Sequence, residues 1–191
     1  MIIVGLTGQS GAGKTTVSGV FESKGFHVIN ADYISREISK KPEVLLELQG
    51  SFGENIVIDG VLDRRSLGKL VFSSRELLDI LSSIMFPKVK EEIEKQIKNS
   101  TSQYILLDAP QLFEGGADNL CAKIVAVIAP KDILIQRIMK RDGISERDAI
   151  QRLNSQKSET FFLENADFAI QNDGDVLSLI DKTEEVIEKI I

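Results

Sequence analysis

The sequence predicts an α/β fold with a mostly parallel, five-stranded sheet covered by helices on both faces. Three observations predict it. Short apolar runs alternate with longer stretches of helical periodicity, the order expected of βαβ units. The first run, Ile2-Ile3-Val4 with Leu6, empties into glycines, as a buried strand feeding a turn does. At 191 residues, 42% hydrophobic and 27% charged, the chain can bury one sizeable core but cannot hold two enzymes.

Taken in order, a helix is expected from near Lys14, with Val17, Val20 and Phe21 on one face and Gly25 placed to stop it. Residues 26–29 form the second strand, 104–107 the third, 124–129 the fourth and 168–170 a short fifth. After Pro87, Val89, Ile93 and Ile97 share a helical stripe, with Glu91–Lys95 and Glu94–Lys98 pairs on the wet side. Asp175 is placed to cap a last helix whose buried face carries Val176, Ile180, Ile187 and Ile190. Residues 31–100 hold several helices and one weak strand at 56–58. Residues 131–157 hold two helical segments broken at Asp142-Gly143, with Ser145 capping the second. Both intervals read as lobes inserted between core strands. Ligands in open α/β sheets gather at the carboxyl ends of the strands, where such lobes attach.

The composition excludes several function classes. A net charge of −6 argues against a broad nucleic-acid-binding surface, which needs excess Lys and Arg. A single cysteine, Cys121, leaves no internal disulfide framework, and with one histidine, His27, no structural zinc cluster or Ser-His hydrolase is expected. No apolar run approaches the roughly 20 residues a bilayer requires, and the first residues lack the charged lead of a secretory signal. A cytoplasmic protein without nucleic-acid or membrane partners is the expectation.

Gly8-Gln9-Ser10-Gly11-Ala12-Gly13-Lys14-Thr15 matches G-x-x-x-x-G-K-[ST] in full, between a strand and a helix. The glycines let successive backbone N–H groups face one anion, and the helix adds its positive end. Lys14 would reach the outer phosphates, and the Thr15 hydroxyl would join the coordination of Mg²⁺. The alternative is a glycine turn that mimics the motif. ATP or GTP is the expected phosphate donor. No guanine-reading Asn-Lys-x-Asp segment follows, which argues against a switch GTPase.

Three further features bear on the chemistry. Asp32, just past the second strand, is either a general base for an attacking hydroxyl or a helix cap. Asp108, closing the third strand, is either a Mg²⁺-holding carboxylate or a turn residue ahead of Pro110. Residues 137–157 carry six basic side chains against three acidic ones, +3 within a chain totalling −6. That run is either a solvated face or a lid bringing arginines over a transferring phosphoryl group. Arg137 and Arg141, four apart, are its best candidates.

Together these residues resemble the dephospho-coenzyme A kinases. The resemblance runs through residues 5–16, Val28-Ile29-Asn30-Ala31-Asp32 with Arg36, residues 62–72, 107–114, 136–143 and 152–156, then Ala166-Asp167 and Asn172-Asp173-Gly174. It implies a single P-loop kinase domain over 1–191, a three-layer α/β/α core with a five-stranded parallel sheet, a helical acceptor-binding lobe and a helical lid. Residues 1–30, 101–130 and 158–191 would form the nucleotide-binding core, 31–100 the acceptor lobe and 131–157 the lid. It implies ATP-dependent, Mg²⁺-assisted phosphorylation of the ribose 3′-hydroxyl of dephospho-CoA, the last step of coenzyme A synthesis. Carried over by position, Asp32 is the general base, with Lys14 and Arg141 as electrostatic stabilisers. Gly11, Ala12, Gly13, Lys14, Thr15 and Thr16 cradle the donor phosphates, with Arg137, Asn172 and Gly174 also at the nucleotide. Thr7, Arg36 and Arg65 join Asp32 at the acceptor, and Thr15 and Asp108 serve the metal.

The chain departs from the family pattern at Phe86-Pro87, where His-Pro is usual, at Gln111, where an apolar residue is usual, and at Ala12 and Thr15 within the loop. Thr keeps the hydroxyl; the Phe86 change removes any histidine role there. Alternative readings are a P-loop kinase of another small hydroxyl compound and a nucleotide-binding regulator without transfer activity.

Overall fold

The structure, a computed structural model, describes residues 1–71 and 74–191. Phe72, the last residue of the 62–72 segment, lies outside the described residues. In chain order the elements are β1 (Ile2–Gly8), α1 (Lys14–Ser23), β2 (His27–Asn30), α2 (Ala31–Ile38), α3 (Pro42–Phe52), β3 (Val57–Ile58), β4 (Val61–Leu62) and α4 (Arg64–Val71). There follow α5 (Arg75–Asn99), β5 (Tyr104–Asp108), β6 (Lys123–Ile128), α6 (Lys131–Asp142), α7 (Glu146–Asn154), α8 (Glu159–Asn165), β7 (Phe168–Gln171) and α9 (Val176–Ile190). The chain separates into two compact units: 1–30 with 101–191, and 31–100.

In the first unit the strand order is β2-β5-β1-β6-β7, and every pair is parallel. The five strands expected from the sequence all form, and this is the α/β fold predicted. Parallel sheets need cover on both faces, because their crossovers place helices there. Alternation along β6 supplies it. Val125 and Val127 join the cluster of Leu6, Val17, Phe21, Leu134, Ile138, Leu179 and Ile187, while Ala126 and Ile128 meet Phe162, Phe113 and Phe161 on the other side. Phe113 and Phe161 meet edge to face, their centroids 5.1 Å apart.

Local signals of capping are realised. Ser145 and Asp175 accept from the amides of Asp148 and Ser178, opening α7 and α9. The buried face of α9 differs from the expected stripe. Val176 is exposed, and Leu179, Thr183, Val186 and Ile187 are the buried set, with Ile180 and Ile190 half-buried. The stripe begins one turn later because Val176 sits in the first turn, immediately after the cap.

Cys121, two residues before β6, packs beside Gly5, where a Cβ would lie 2.8 Å from its Sγ. Burial, reinforced by Asp118, pushes its thiol up to about 12. Since only the thiolate is nucleophilic, Ellman's reagent at pH 8 is expected to react at least about 100-fold slower with the folded protein than with the chain in guanidinium.

In the second unit α2, α3 and α4 each pack against α5. This helix runs unbroken through Pro87, so the helix expected after Pro87 starts a dozen residues earlier. Proline costs an interior helix about 3 kcal/mol; buried Ile84, Met85 and Ile93 on either side of it provide the packing that offsets this. Lys95 pairs with Glu92 (3.9 Å), three residues away rather than four. Ile56 opens no strand: the short ladder is Val57–Ile58 against Val61–Leu62, antiparallel. Among the described residues no helix is long and apolar enough to cross a membrane.

Candidate active site

The carboxyl edge of the parallel sheet carries the glycine loop. β1 ends at Gly8, opposite Val127 of β6, and α1 begins at Lys14. Gly13 occupies the cap position of α1 at φ 103° and offers its helix no side-chain cap. The first amides of a helix have no partner within it, so this end is suited to an anion. A Cβ on Gly13 would stand 2.4 Å from Asn172 Nδ2. The loop therefore needs glycine there for close approach as well as for its dihedral angles.

Asn172 is what approaches. Just past β7, and buried, it donates from Nδ2 to the Ala12 carbonyl (2.7 Å) and accepts on Oδ1 from Arg137 Nη2 (3.2 Å). Arg137 Nη1 donates to the carbonyls of Gly11 (3.3 Å) and Asn172 (3.4 Å). The two residues thus form a brace that fixes the backbone of residues 11–13. Lys14 Nζ folds over the loop and donates to the carbonyls of Gly8 (2.8 Å) and Gln9 (3.1 Å). Thr15 is exposed at the start of α1 and Thr16 half-buried. Gly174 is exposed, and a Cβ there would make only ordinary contact with Ser178, 3.4 Å away.

Asp108 closes β5, paired with Leu6 of β1 on one side and Asn30 of β2 on the other. The residue is 8% exposed, and its carboxylate accepts from Asn30 Nδ2 (3.3 Å). The turn beyond it is fastened to β1: Ala109 N–H donates to Leu6 O (3.0 Å), and the fully buried Thr7 hydroxyl donates to Pro110 O (3.2 Å). Carboxylate and hydroxyl oxygens are the donors a hard cation takes, so Asp108 and Thr15 fit Mg²⁺, which usually binds one or two carboxylates plus substrate phosphates.

In the second unit, α2 opens at Ala31, so Asp32 is its second residue, exposed in the first turn. Arg36 and Arg65 are exposed on α2 and α4. Their neighbour Arg64 does what the sequence did not announce: it turns back to the carboxyl end of α2, donating to Arg36 O (3.2 Å) and to the buried Ser39 hydroxyl. Burial, then the charge of Arg36, holds its pKa below the usual arginine value. Asp63 caps α4 through the amides of Arg65 and Ser66 (3.1 Å each), and the Ser66 hydroxyl foremost holds its carboxyl below the usual range.

At the other end of the loop, Ser10 N–H donates to Gln156 Oε1 (2.9 Å), and Gln9 Nε2 to Lys157 O (3.2 Å). Arg141 Nη2 donates to Ser10 Oγ (2.9 Å). Residues 137–157 are therefore bonded to the loop at both ends of the segment. The structure brings Lys14, Arg137, Arg141, Asn172 and residues 8–13 together; Gln156 joins them through Ser10, and Asn30 joins Asp108 at the ends of β2 and β5, roles that the sequence reading assigned to neither. Gln156 falls in the 152–156 segment and one residue before the end of the charged run, the two signals that could have drawn attention to it.

The chain matches known proteins along nearly its whole length. A family model described as dephospho-CoA kinase matches residues 2–178. A dephospho-CoA kinase of Fusobacterium nucleatum is 37% identical over 191 residues, covering 100% of this chain and 99% of the relative. The solved dephospho-CoA kinase from Campylobacter jejuni superposes with a TM-score of 0.72 at 30% identity, covering 98% of this chain and 96% of that one. A crystal structure of TT1252 from Thermus thermophilus gives 0.87 at 28% identity, covering 100% and 97%. With the phosphate loop, its brace and the strand order all falling inside the matched span, the chain belongs to the dephospho-CoA kinase family.

Proposed function

We propose that the chain transfers the γ-phosphoryl group of ATP to the ribose 3′-hydroxyl of dephospho-CoA, yielding CoA and ADP. The observation that carries this reading is the braced loop of residues 8–15 in a chain of this family. The amides of residues 11–16 bind the donor phosphates. Arg137 and Asn172 act on ATP through the loop they hold, and Gly174 lies in the nucleotide-side turn that follows. Residues 31–100 bind the acceptor, Arg36 and Arg65 pairing with its anionic groups. Thr7 serves the acceptor end indirectly, since its hydroxyl is committed to the turn after Asp108.

In the transfer step the acceptor oxygen forms a bond to the γ-phosphorus as the bond to the β,γ-bridging oxygen breaks, and ADP leaves. The hydroxyl proton passes to the Asp32 carboxylate. Lys14 and Arg141 supply positive charge where negative charge accumulates on the transferring group. Asp108 and Thr15 would hold Mg²⁺, which when bound neutralises charge on the phosphate oxygens. Residues 131–157 act as a lid that limits attack by water.

Coupled ADP release with ATP, Mg²⁺ and dephospho-CoA is expected to exceed the rate without acceptor by at least about 100-fold. A rate equal to that control would overturn the proposal. Turnover with another nucleoside or small alcohol in its place would move the assignment to a kinase of that acceptor.

A further inference from the structure

We propose that Asp142 is the positioning residue for Arg141, holding its guanidinium against the phosphate loop in the orientation used for transfer. The inference rests on the reading of Arg141 as a stabiliser of the transferring group. Asp142 is the last residue of α6, and Gly143 (φ 64°) turns the chain so that α7 follows at once. At this corner one carboxylate serves two guanidiniums. Asp142 Oδ1 accepts from Arg141 Nε (2.8 Å), and Oδ2 accepts from Arg141 Nη2 (2.9 Å) and from Arg152 Nη1 on α7.

Adjacent residues on a helix do not ordinarily face each other. A two-pronged Arg141–Asp142 contact therefore requires the arginine to fold back along the helix end, and the other contacts show what holds it there. The second hydrogen of Nη2 goes to Ser10 Oγ (2.9 Å), while Ser10's own amide is anchored to Gln156 (2.9 Å). Arg152 approaches the carboxylate from the opposite helix. The carboxylate is the more sheltered partner: the Asp142 side chain is 24% exposed and that of Arg141 52%. Two-pronged pairing fixes a guanidinium's plane as well as its place. Among the described residues Nη1 of Arg141 has no hydrogen-bond partner, so the fixed plane presents that group's N–H donors to a ligand. Hydrogen bonding from Arg141 also holds the Asp142 carboxyl below the usual range, so it stays charged throughout the working pH range.

The test is a double-mutant cycle on kcat with Asp142→Asn, Arg141→Ala and the double variant, each checked by thermal unfolding. Asparagine keeps the size but points an amide donor at two guanidiniums. Asp142→Asn is expected to lower kcat about 10- to 100-fold with KM for ATP within about threefold, and Asp142→Glu to recover part of the loss. Arg141→Ala should lose more, and the double variant no more than Arg141→Ala alone, because a residue acting only through Arg141 has nothing left to position. A general structural role predicts losses that multiply; multiplied losses, or unchanged kcat in Asp142→Asn while Arg141→Ala is impaired, overturn the inference. Unchanged kcat in Arg141→Ala would instead remove the reading of Arg141 itself, and the inference with it.

Discussion

Asp32→Asn is expected to lower kcat for dephospho-CoA phosphorylation by about 10²- to 10⁴-fold, the usual contribution of a general base. Asparagine matches aspartate in size and can still accept a hydrogen bond from a hydroxyl, but it cannot take the proton. The substitution also leaves the donor site whole. The groups proposed to hold ATP lie on the loop after β1, α1, α6 and the segment after β7, and their mutual bonds among Gly11, Ala12, Arg137 and Asn172 do not involve residue 32. KM for ATP should therefore stay within about threefold, the pattern of a group that acts in the transition state only. Steady-state kinetics with both substrates varied distinguish this from loss of folding, in which kcat and stability fall together. A variant that keeps kcat within about threefold of the parent would remove Asp32 as the base.

Most of what places this site is local, and so was legible in the chain. The loop motif, the polar residues closing β2 and β5, and the caps Ser145 and Asp175 are each set by neighbours within a few residues. The hairpin at 57–62 was legible too: Asp59-Gly60, with φ of 50° and 76°, is the dipeptide signature of a two-residue hairpin turn, and it was read as one weak strand only. Other features depend on elements far apart in sequence. Nothing near Asn172 announces that it will bond to Ala12, 160 residues away, nor does Gln156 announce Ser10. Nothing in the sequence separates Arg64 from Arg65 as a partner for an anionic ligand, yet it is Arg64 that hydrogen bonds to Ser39 and Arg36 hold at the end of α2. The continuation of α5 through Pro87 likewise follows from burial on both sides of the proline, against local preference.

Gly8→Ala is expected to be the most destabilising single-methyl change in the loop. At Gly8 the backbone has φ 136°, where side chains rarely sit, and an added Cβ would lie 2.1 Å from the Val127 carbonyl oxygen and 3.0 Å from that residue's N and C atoms. Those are backbone atoms of a fully buried strand, paired with Gly8 in the sheet register, so no side-chain rotation relieves the overlap. Relief requires β1 and β6 to separate at their carboxyl ends, the edge from which the phosphate loop springs. Overpacking typically costs about 1–3 kcal/mol and a strained dihedral about 1–3 more. The two together correspond to a fall in Tm of the order of 10 °C for a chain of this size. Gly174→Ala is the matched control: its Cβ would meet only the Ser178 side chain at 3.4 Å, and its Tm should stay within about 2 °C. Thermal unfolding of the two variants checks both values. If Gly8→Ala melts with the parent, the close approach of β6 does not dictate glycine there, and the need must come from bound phosphate alone. A lowered Tm that ATP and Mg²⁺ fail to raise would show that opening this edge also dismantles the nucleotide site, since a ligand bound only by the folded form must stabilise it.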